Sequence, residues 1–250
     1  MRKYGLIGYP LGHSFSKKLF NDKFARESIS GCSYENYPLK DINLFEEFLS
    51  RESEIYGLNV TIPFKSEVIK YIDSLDQEAE ATGAVNVIKI SRKDNSRFLK
   101  GFNTDIYGFR ESLSPLIGPG MKNALVLGTG GSAKAVAYVL DSLKIKITLV
   151  SRKSGKDYIT YGEVTEKVIA ENLLIINCTP LGMLPDVNGL PEIKYDLLTG
   201  KHLLYDLVYN PPMTSFLKAG EKRGCKIYGG LRMLHLQAEK AWEIWNDDKI

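Results

Sequence analysis

The residues of this chain that could do chemistry fall into a glycine-rich turn and a scattered set of hydroxyl, amide, lysine and aspartate side chains. The turn is Leu125-Val126-Leu127-Gly128-Thr129-Gly130-Gly131-Ser132-Ala133, a G-x-G-x-x-A pattern between an apolar strand and the start of a helix. Gly128 permits the tight turn, Gly130 lets the backbone approach a pyrophosphate, and Ala133 is small enough for close packing of helix on strand. Free N–H groups and the positive dipole end of the following helix favour phosphate. The spacing predicts a dinucleotide site, against the plainer possibility of a glycine-rich turn that binds no nucleotide.

The next strand ends Leu149-Val150-Ser151-Arg152-Lys153. A site for NAD usually offers a carboxylate here to the ribose 2′-hydroxyl, and that carboxylate would repel the extra phosphate of NADP. Ser151 is neutral, whereas Arg152, Lys153 and Lys156 are cationic. Arginine can bind phosphate bidentately, so this strand end predicts NADP in preference to NAD. Lys153 and Lys156 can equally be solvated surface charges.

Groups that could choose a substrate lie in the first half. Gly8-Tyr9-Pro10-Leu11-Gly12-His13-Ser14-Phe15-Ser16 follows a strand and opens a helix. The Ser14 and Ser16 hydroxyls can there reach one carboxylate, helped by free N–H groups, or one of them can simply be an N-cap. Gly57-Leu58-Asn59-Val60-Thr61-Ile62-Pro63-Phe64-Lys65 puts a lysine just past a strand stopped by proline. Most lysines are solvated surface groups, and Asp105 could be only a first-turn acid favoured by a helix dipole. Asn86 and Asn103 add two amides near strand ends. Taken one at a time, each is ambiguous.

Taken together, they resemble the shikimate dehydrogenase family over nearly the whole chain. The pieces run in that family's order: G-x-P-x-x-H-S-x-S at 8–16, N-V-T-x-P-x-K at 59–65, G-A-V-N at 83–86 and N-T-D at 103–105. The glycine turn follows, then Asn177-Cys178-Thr179-Pro180-Leu181-Gly182-Met183, Tyr209-Asn210-Pro211, and the run from Gly230-Leu231-Arg232-Met233 to Gln237-Ala238. Several ordered motifs are far more specific than any one of them.

The resemblance implies a cytoplasmic oxidoreductase of aromatic amino-acid and chorismate biosynthesis. It would reduce 3-dehydroshikimate reversibly to shikimate with NADPH, in a cleft between two domains. Ser14 and Ser16 would hold the substrate carboxylate, and Thr61, Asn86, Asp105 and Gln237 the ring hydroxyls, with Tyr209 close by. Lys65 and Asp105 would be the catalytic acid–base pair. Gly128, Thr129, Gly130, Gly131 and Ser132 would hold the pyrophosphate. Ser151, Arg152 and Lys153 would meet the 2′-phosphate end of NADP, and Leu207 and Gly230 the nicotinamide end. Hydride transfer to the C3 carbonyl leaves an oxygen that needs a proton, and a positioned ammonium can stabilise or protonate it. Rival readings are a quinate dehydrogenase using NAD or both cofactors, and a non-catalytic sensor of similar metabolites. Retention of both Lys65 and Asp105 speaks against the sensor.

These residues need a scaffold, and the chain reads as strands alternating with helices. That pattern predicts α/β architecture with mainly parallel sheets. A βαβ substrate domain is expected over 1–103, completed by about 231–250 as the last helix returns to it. A Rossmann-type dinucleotide domain is expected over 104–230. Helical segments are expected to run to about residue 81. Between Arg152 and the strand near 173 there is too little chain for a full helix–strand–helix, so a strand at 158–160 and a helix over 161–171 leave the first helix missing or reduced to a turn. His13 is expected to shape its loop, and Cys178, Met183, Met233, Trp242 and Trp245 to pack.

Composition narrows the remaining classes. A net charge of +3 with 33 dispersed basic residues lacks the concentrated stripe of a nucleic-acid binder. Cys32, Cys178 and Cys225 are odd in number and far apart, which argues against a disulfide framework or a metal site. No run of about 18 apolar residues suggests a membrane span. The expected partner is a small molecule, for a chain that is a monomer or a homodimer.

Overall fold

A computed structural model describes residues 1–12, 14–94 and 96–247 of the chain; His13 lies outside the described residues. The first half contains β1 (Arg2–Gly8), α1 (Ser16–Arg26), β2 (Cys32–Pro38), α2 (Phe45–Arg51), β3 (Ile55–Val60), β4 (Ser74–Leu75), α3 (Gln77–Thr82), β5 (Val87–Lys93), β6 (Ser96–Phe102) and α4 (Thr104–Leu113). The second contains β7 (Asn123–Leu127), α5 (Gly131–Ser142), β8 (Lys146–Ser151), β9 (Ile159–Thr160), α6 (Glu166–Glu171), β10 (Leu174–Asn177), β11 (Leu203–Asp206), α7 (Ser215–Glu221), β12 (Lys226–Gly229) and α8 (Leu231–Asn246). Contacts group these into one unit of Met1–Tyr107 with Gln237–Ile250 and another of Gly108–Leu236. Both divisions fall inside helices, α4 and α8. No helix among the described residues is long and apolar enough to cross a membrane.

The first unit holds a six-stranded sheet in the order β2-β1-β3-β5-β6-β4. β1 pairs in parallel with both β2 and β3, and its residues 4–8 are buried, as an apolar strand covered on both faces requires. The sheet is mixed, because β5 runs antiparallel to β3 and β6. β4 interrupts the stretch expected to be helical and joins the sheet beside β6. There Asp73 accepts from the Leu99 N–H at 2.7 Å, so the chain finds sheet partners that local propensity does not reveal.

α8 closes this unit through aromatic packing. The Trp245 ring stacks on Tyr4 with centroids 4.9 Å apart, and its indole N–H donates to the Ile88 carbonyl at 3.1 Å. A Cβ on Gly57 would meet Trp245 Nε1 at 2.3 Å, so β3 needs glycine where the indole crosses it. Lys23 of α1 is buried between Glu27 and Glu239, 2.8 and 2.6 Å away, and ties α1 to α8.

The second unit holds a six-stranded sheet, order β12-β11-β10-β7-β8-β9, parallel throughout. This is the doubly wound pattern, with its switch point between β7 and β10. Residues 152–158 contain turns and a single bridge between Gly155 and Tyr158, with no helix. The helix expected over 161–171 is split into a 3₁₀ turn, Tyr161–Glu163, and α6. Two N-caps explain the break: Glu163 accepts from the Thr160 N–H at 2.7 Å, and Thr165 caps α6 by accepting from Val168.

Candidate active site

In the first unit the chain ends of three strands converge on one cluster of polar side chains. Thr61 follows β3, and its methyl would lie 2.4 Å from a Cβ on Gly8, so glycine is required where the serine loop leaves β1. Tyr9 N–H donates to the Ile62 carbonyl at 3.1 Å, which fastens the serine loop to the proline turn. Beyond it Ser14 accepts from the Ser16 N–H at 3.3 Å, leaving its own O–H to donate. Both serines are half-buried.

Lys65 is carried past the turn and fixed by its backbone, whose carbonyl accepts from Val85 N–H at 2.7 Å. Its ammonium lies 2.5 Å from Asp105 Oδ2. α3 starts at the Asp76 N-cap and stops at Gly83, which adopts a left-handed conformation with φ of 57°. That stop lets the chain turn into Asn86. The Asn86 amide nitrogen lies 2.9 Å from Asp105 Oδ1, 3.1 Å from Thr104 Oγ1 and 3.3 Å from Gln237 Oε1. Its carbonyl oxygen accepts from the Thr104 N–H at 2.7 Å. Lys65, Asn86, Asp105 and Gln237 therefore form one hydrogen-bonded group, with Asn86 and Asp105 buried.

Asp105 thus uses one oxygen for Lys65 and the other for Asn86, and each oxygen keeps a second lone pair for a hydroxyl donor. The ammonium has three protons, one of which points to Asp105, so others are available to a carbonyl oxygen. This is the equipment for protonating a carbonyl while gripping a polyhydroxylated ring.

In the second unit, Gly128 follows β7 with φ of +108°, and a Cβ there would crowd Thr179 Cγ2 at 3.2 Å. Gly130 is the N-cap of α5, without a side-chain capping bond, and a Cβ on it would meet nothing within 4 Å. The turn therefore leaves an open approach to free helix N–H groups, beside Thr129, Gly131 and Ser132, which fits a pyrophosphate. Ser151 ends β8, and Arg152 and Lys153 are exposed just beyond it. Leu207, Tyr209 and Gly230 follow β11 and β12. Gly230 is buried, and a Cβ there would stand 2.2 Å from the Leu207 carbonyl oxygen. Tyr209 belongs to this second unit, whereas Ser14, Ser16, Thr61, Asn86, Asp105 and Gln237 belong to the first.

Residues 6–88 match the shikimate dehydrogenase substrate-binding domain. A curated shikimate dehydrogenase (NADP(+)) of Clostridium beijerinckii is 41% identical, the match covering 100% of this chain and 94% of the relative. The chain belongs to the shikimate dehydrogenase family. A shikimate dehydrogenase crystal structure from Aquifex aeolicus matches with a TM-score of 0.86 at 31% identity, covering 100% of this chain and 94% of that one. The Thermus thermophilus enzyme, solved with NADP(H) and shikimate, matches with a TM-score of 0.85 at 28% identity over 98% and 94%.

Within this shikimate dehydrogenase fold, sequence reasoning assigned no role to four polar contributors. Thr104 is buried and holds the Asn86 amide. Tyr34 donates to Asn59 at 2.7 Å, and Asn59 reaches the Asn86 carbonyl at 3.4 Å. Asp206, fully buried at the end of β11, accepts from Asn177 and Thr214. Only Asp206 left a usable signal: a carboxylate closing the apolar run Leu203-Leu204-Tyr205. Met233 and Trp245 are buried, as packing residues should be, whereas Met183 is exposed.

Proposed function

We propose that this chain catalyses the reversible NADP-dependent reduction of 3-dehydroshikimate to shikimate, a step toward aromatic amino acids, in the cytoplasm. The observation that carries the reading is the Lys65–Asp105 pair, bound to Asn86 and Gln237 in the unit that matches the family's substrate-binding domain. The name of the Clostridium beijerinckii relative supports both reaction and cofactor.

Ser14 and Ser16 bind the ring carboxylate, and Thr61, Asn86 and Gln237 orient the ring hydroxyls; Tyr209 is read as a further substrate contact. NADPH supplies the hydride when bound. Lys65 stabilises the negative charge that develops on the C3 oxygen and donates its proton there; in the reverse direction it takes the hydroxyl proton. Asp105 orients the ammonium and accepts from a substrate hydroxyl. Gly128 to Ser132 hold the pyrophosphate, Ser151, Arg152 and Lys153 the adenosine 2′-phosphate, and Leu207 and Gly230 the nicotinamide end. The open turn at Gly130 and the cationic end of β8 fit such a ligand.

Purified protein given shikimate or quinate, each with NADP⁺ or NAD⁺, decides the reading through the absorbance of reduced nicotinamide. Turnover with shikimate and NADP⁺ is expected to exceed the other three combinations. No turnover with any pair would remove the enzyme reading altogether.

A further inference from the structure

Asp206 ends β11 with 0% exposure and no ion-pair partner among the described residues. A buried charge is costly unless donors satisfy its lone pairs, and here three do. Oδ1 accepts from the Val208 N–H at 3.0 Å and from Asn177 Nδ2 at 2.9 Å, and Oδ2 accepts from the Thr214 hydroxyl at 2.6 Å. Those donors come from the end of β10, from the loop after β11 and from the N-cap of α7.

The same bonds reach the residues along the carboxyl edge of the sheet. The Leu207 N–H donates to the Asn177 carbonyl at 3.0 Å, and the Gly230 N–H donates to the Val208 carbonyl at 3.2 Å. Asn177 Oδ1 also accepts from the Thr179 N–H and hydroxyl, at 3.0 and 2.6 Å. Between them Cys178 donates its N–H to the Leu127 carbonyl at the end of β7, at 2.8 Å, and a Cβ on Gly128 would meet the Thr179 methyl at 3.2 Å. One carboxylate therefore links the chain leaving β7, β10, β11 and β12, the edge at which doubly wound sheets receive ligands. An amide replaces it only in part: its NH₂ would face the Thr214 hydroxyl, which would have to accept instead of donate, and the remaining bonds would lose their charged acceptor.

We propose that Asp206 is a positioning residue for the dinucleotide: accepting from Val208, Asn177 and Thr214, it fixes Leu207 and Gly230 where the nicotinamide end must lie. This rests on the cofactor reading given above. It also explains why an unpaired carboxylate is kept where an apolar residue would fill the space without a desolvation cost.

The test uses the full chain carrying Asp206→Asn, Thr214→Val or Thr214→Ser. NADPH affinity is read by fluorescence titration, KM for NADP⁺ and for shikimate by turnover, and folding by Tm. Loss of a hydrogen bond to a charged group predicts NADPH binding and KM for NADP⁺ weakened about tenfold in Asp206→Asn and Thr214→Val. KM for shikimate should stay within about twofold, and Thr214→Ser, which keeps the hydroxyl, should restore NADPH binding. Unchanged NADPH affinity in the folded variants, or an equal loss for both ligands, overturns the proposal. If Asp206→Asn does not fold, the Val and Ser variants of Thr214 decide alone. A wild-type protein that binds NADPH but turns over nothing would instead remove the shikimate reading and leave this titration valid.

Discussion

Lys65 Nζ and Asp105 Oδ2 lie 2.5 Å apart although 40 residues separate them, and their side chains keep only 15% and 10% of their exposure. One stands past the turn after β3 and the other in the first turn of α4. Part-buried charges are screened by salt less than surface ones, so the pair keeps one geometry in which the ammonium has protons to spare.

Replacing Lys65 with alanine is therefore expected to lower kcat by about 10²- to 10⁴-fold, the usual worth of a positioned acid or base. KM for NADP⁺ should change little. Steady-state kinetics of the variant check this, and a near-normal kcat would remove Lys65 from the reaction.

Asn86→Ala removes the acceptor of the buried Thr104 N–H as well as a donor to Asp105. The orphaned N–H should cost about 1–3 kcal/mol of stability, visible in urea titration, and KM for shikimate should rise. Stability equal to wild type would mean that Thr104 finds another acceptor.

Arg152 tests cofactor choice. Arg152→Gln should raise KM for NADP⁺ about tenfold or more, the scale of a lost charge-assisted contact, while any activity with NAD⁺ is unaffected. A parallel change with both cofactors would show that the exposed guanidinium does not read the 2′-phosphate.

Asp206 predicts a pH signature in stability. Burial raises its carboxyl from 3.8 to about 6, against the lowering effect of its three donors. Between those values the folded chain binds a proton that the unfolded chain does not. Its contribution to stability therefore rises as pH falls through this window, and the cost of the ionised form is fully present above about pH 6. Burial also raises the pKa of Cys178 and of Tyr195, both within the field of Asp206, so they stay neutral throughout. Relative to Asp206→Asn, wild type should gain about 1–2 kcal/mol between pH 7 and pH 5. Parallel stability curves for the two proteins would contradict a raised carboxyl.

Gly57→Ala would press a methyl into the Trp245 indole, whose nearest atom lies 2.3 Å from the new Cβ. Overpacking of this kind costs about 1–3 kcal/mol. Thermal unfolding should show a lowered Tm, and an unchanged Tm would mean that α8 shifts freely.

Much of the site was legible because its residues sit at strand ends and turns, where glycine, proline and hydroxyl residues leave local signatures. Gly8, Gly83 and Gly128 are each required by a close approach or a positive φ. The missing helix after Arg152 was legible by chain length alone. The strand Ser74–Leu75 was not, because two residues acquire strand geometry only when β6 offers them partners. The antiparallel direction of β5 was equally hidden, since strand direction is set by pairing and not by composition.

The sequence by itself determined the reaction class and the order of the motifs, because turn geometry, helix starts and residue chemistry are local properties. It could not decide which side chains touch. That Asn86 bridges Asp105, Thr104 and Gln237, that Thr61 lies on Gly8, and that Asp206 gathers three donors were decided by tertiary structure alone. Hydrogen bonds between residues tens of positions apart depend on how strands are ordered and paired, and that order is a property of the whole sheet.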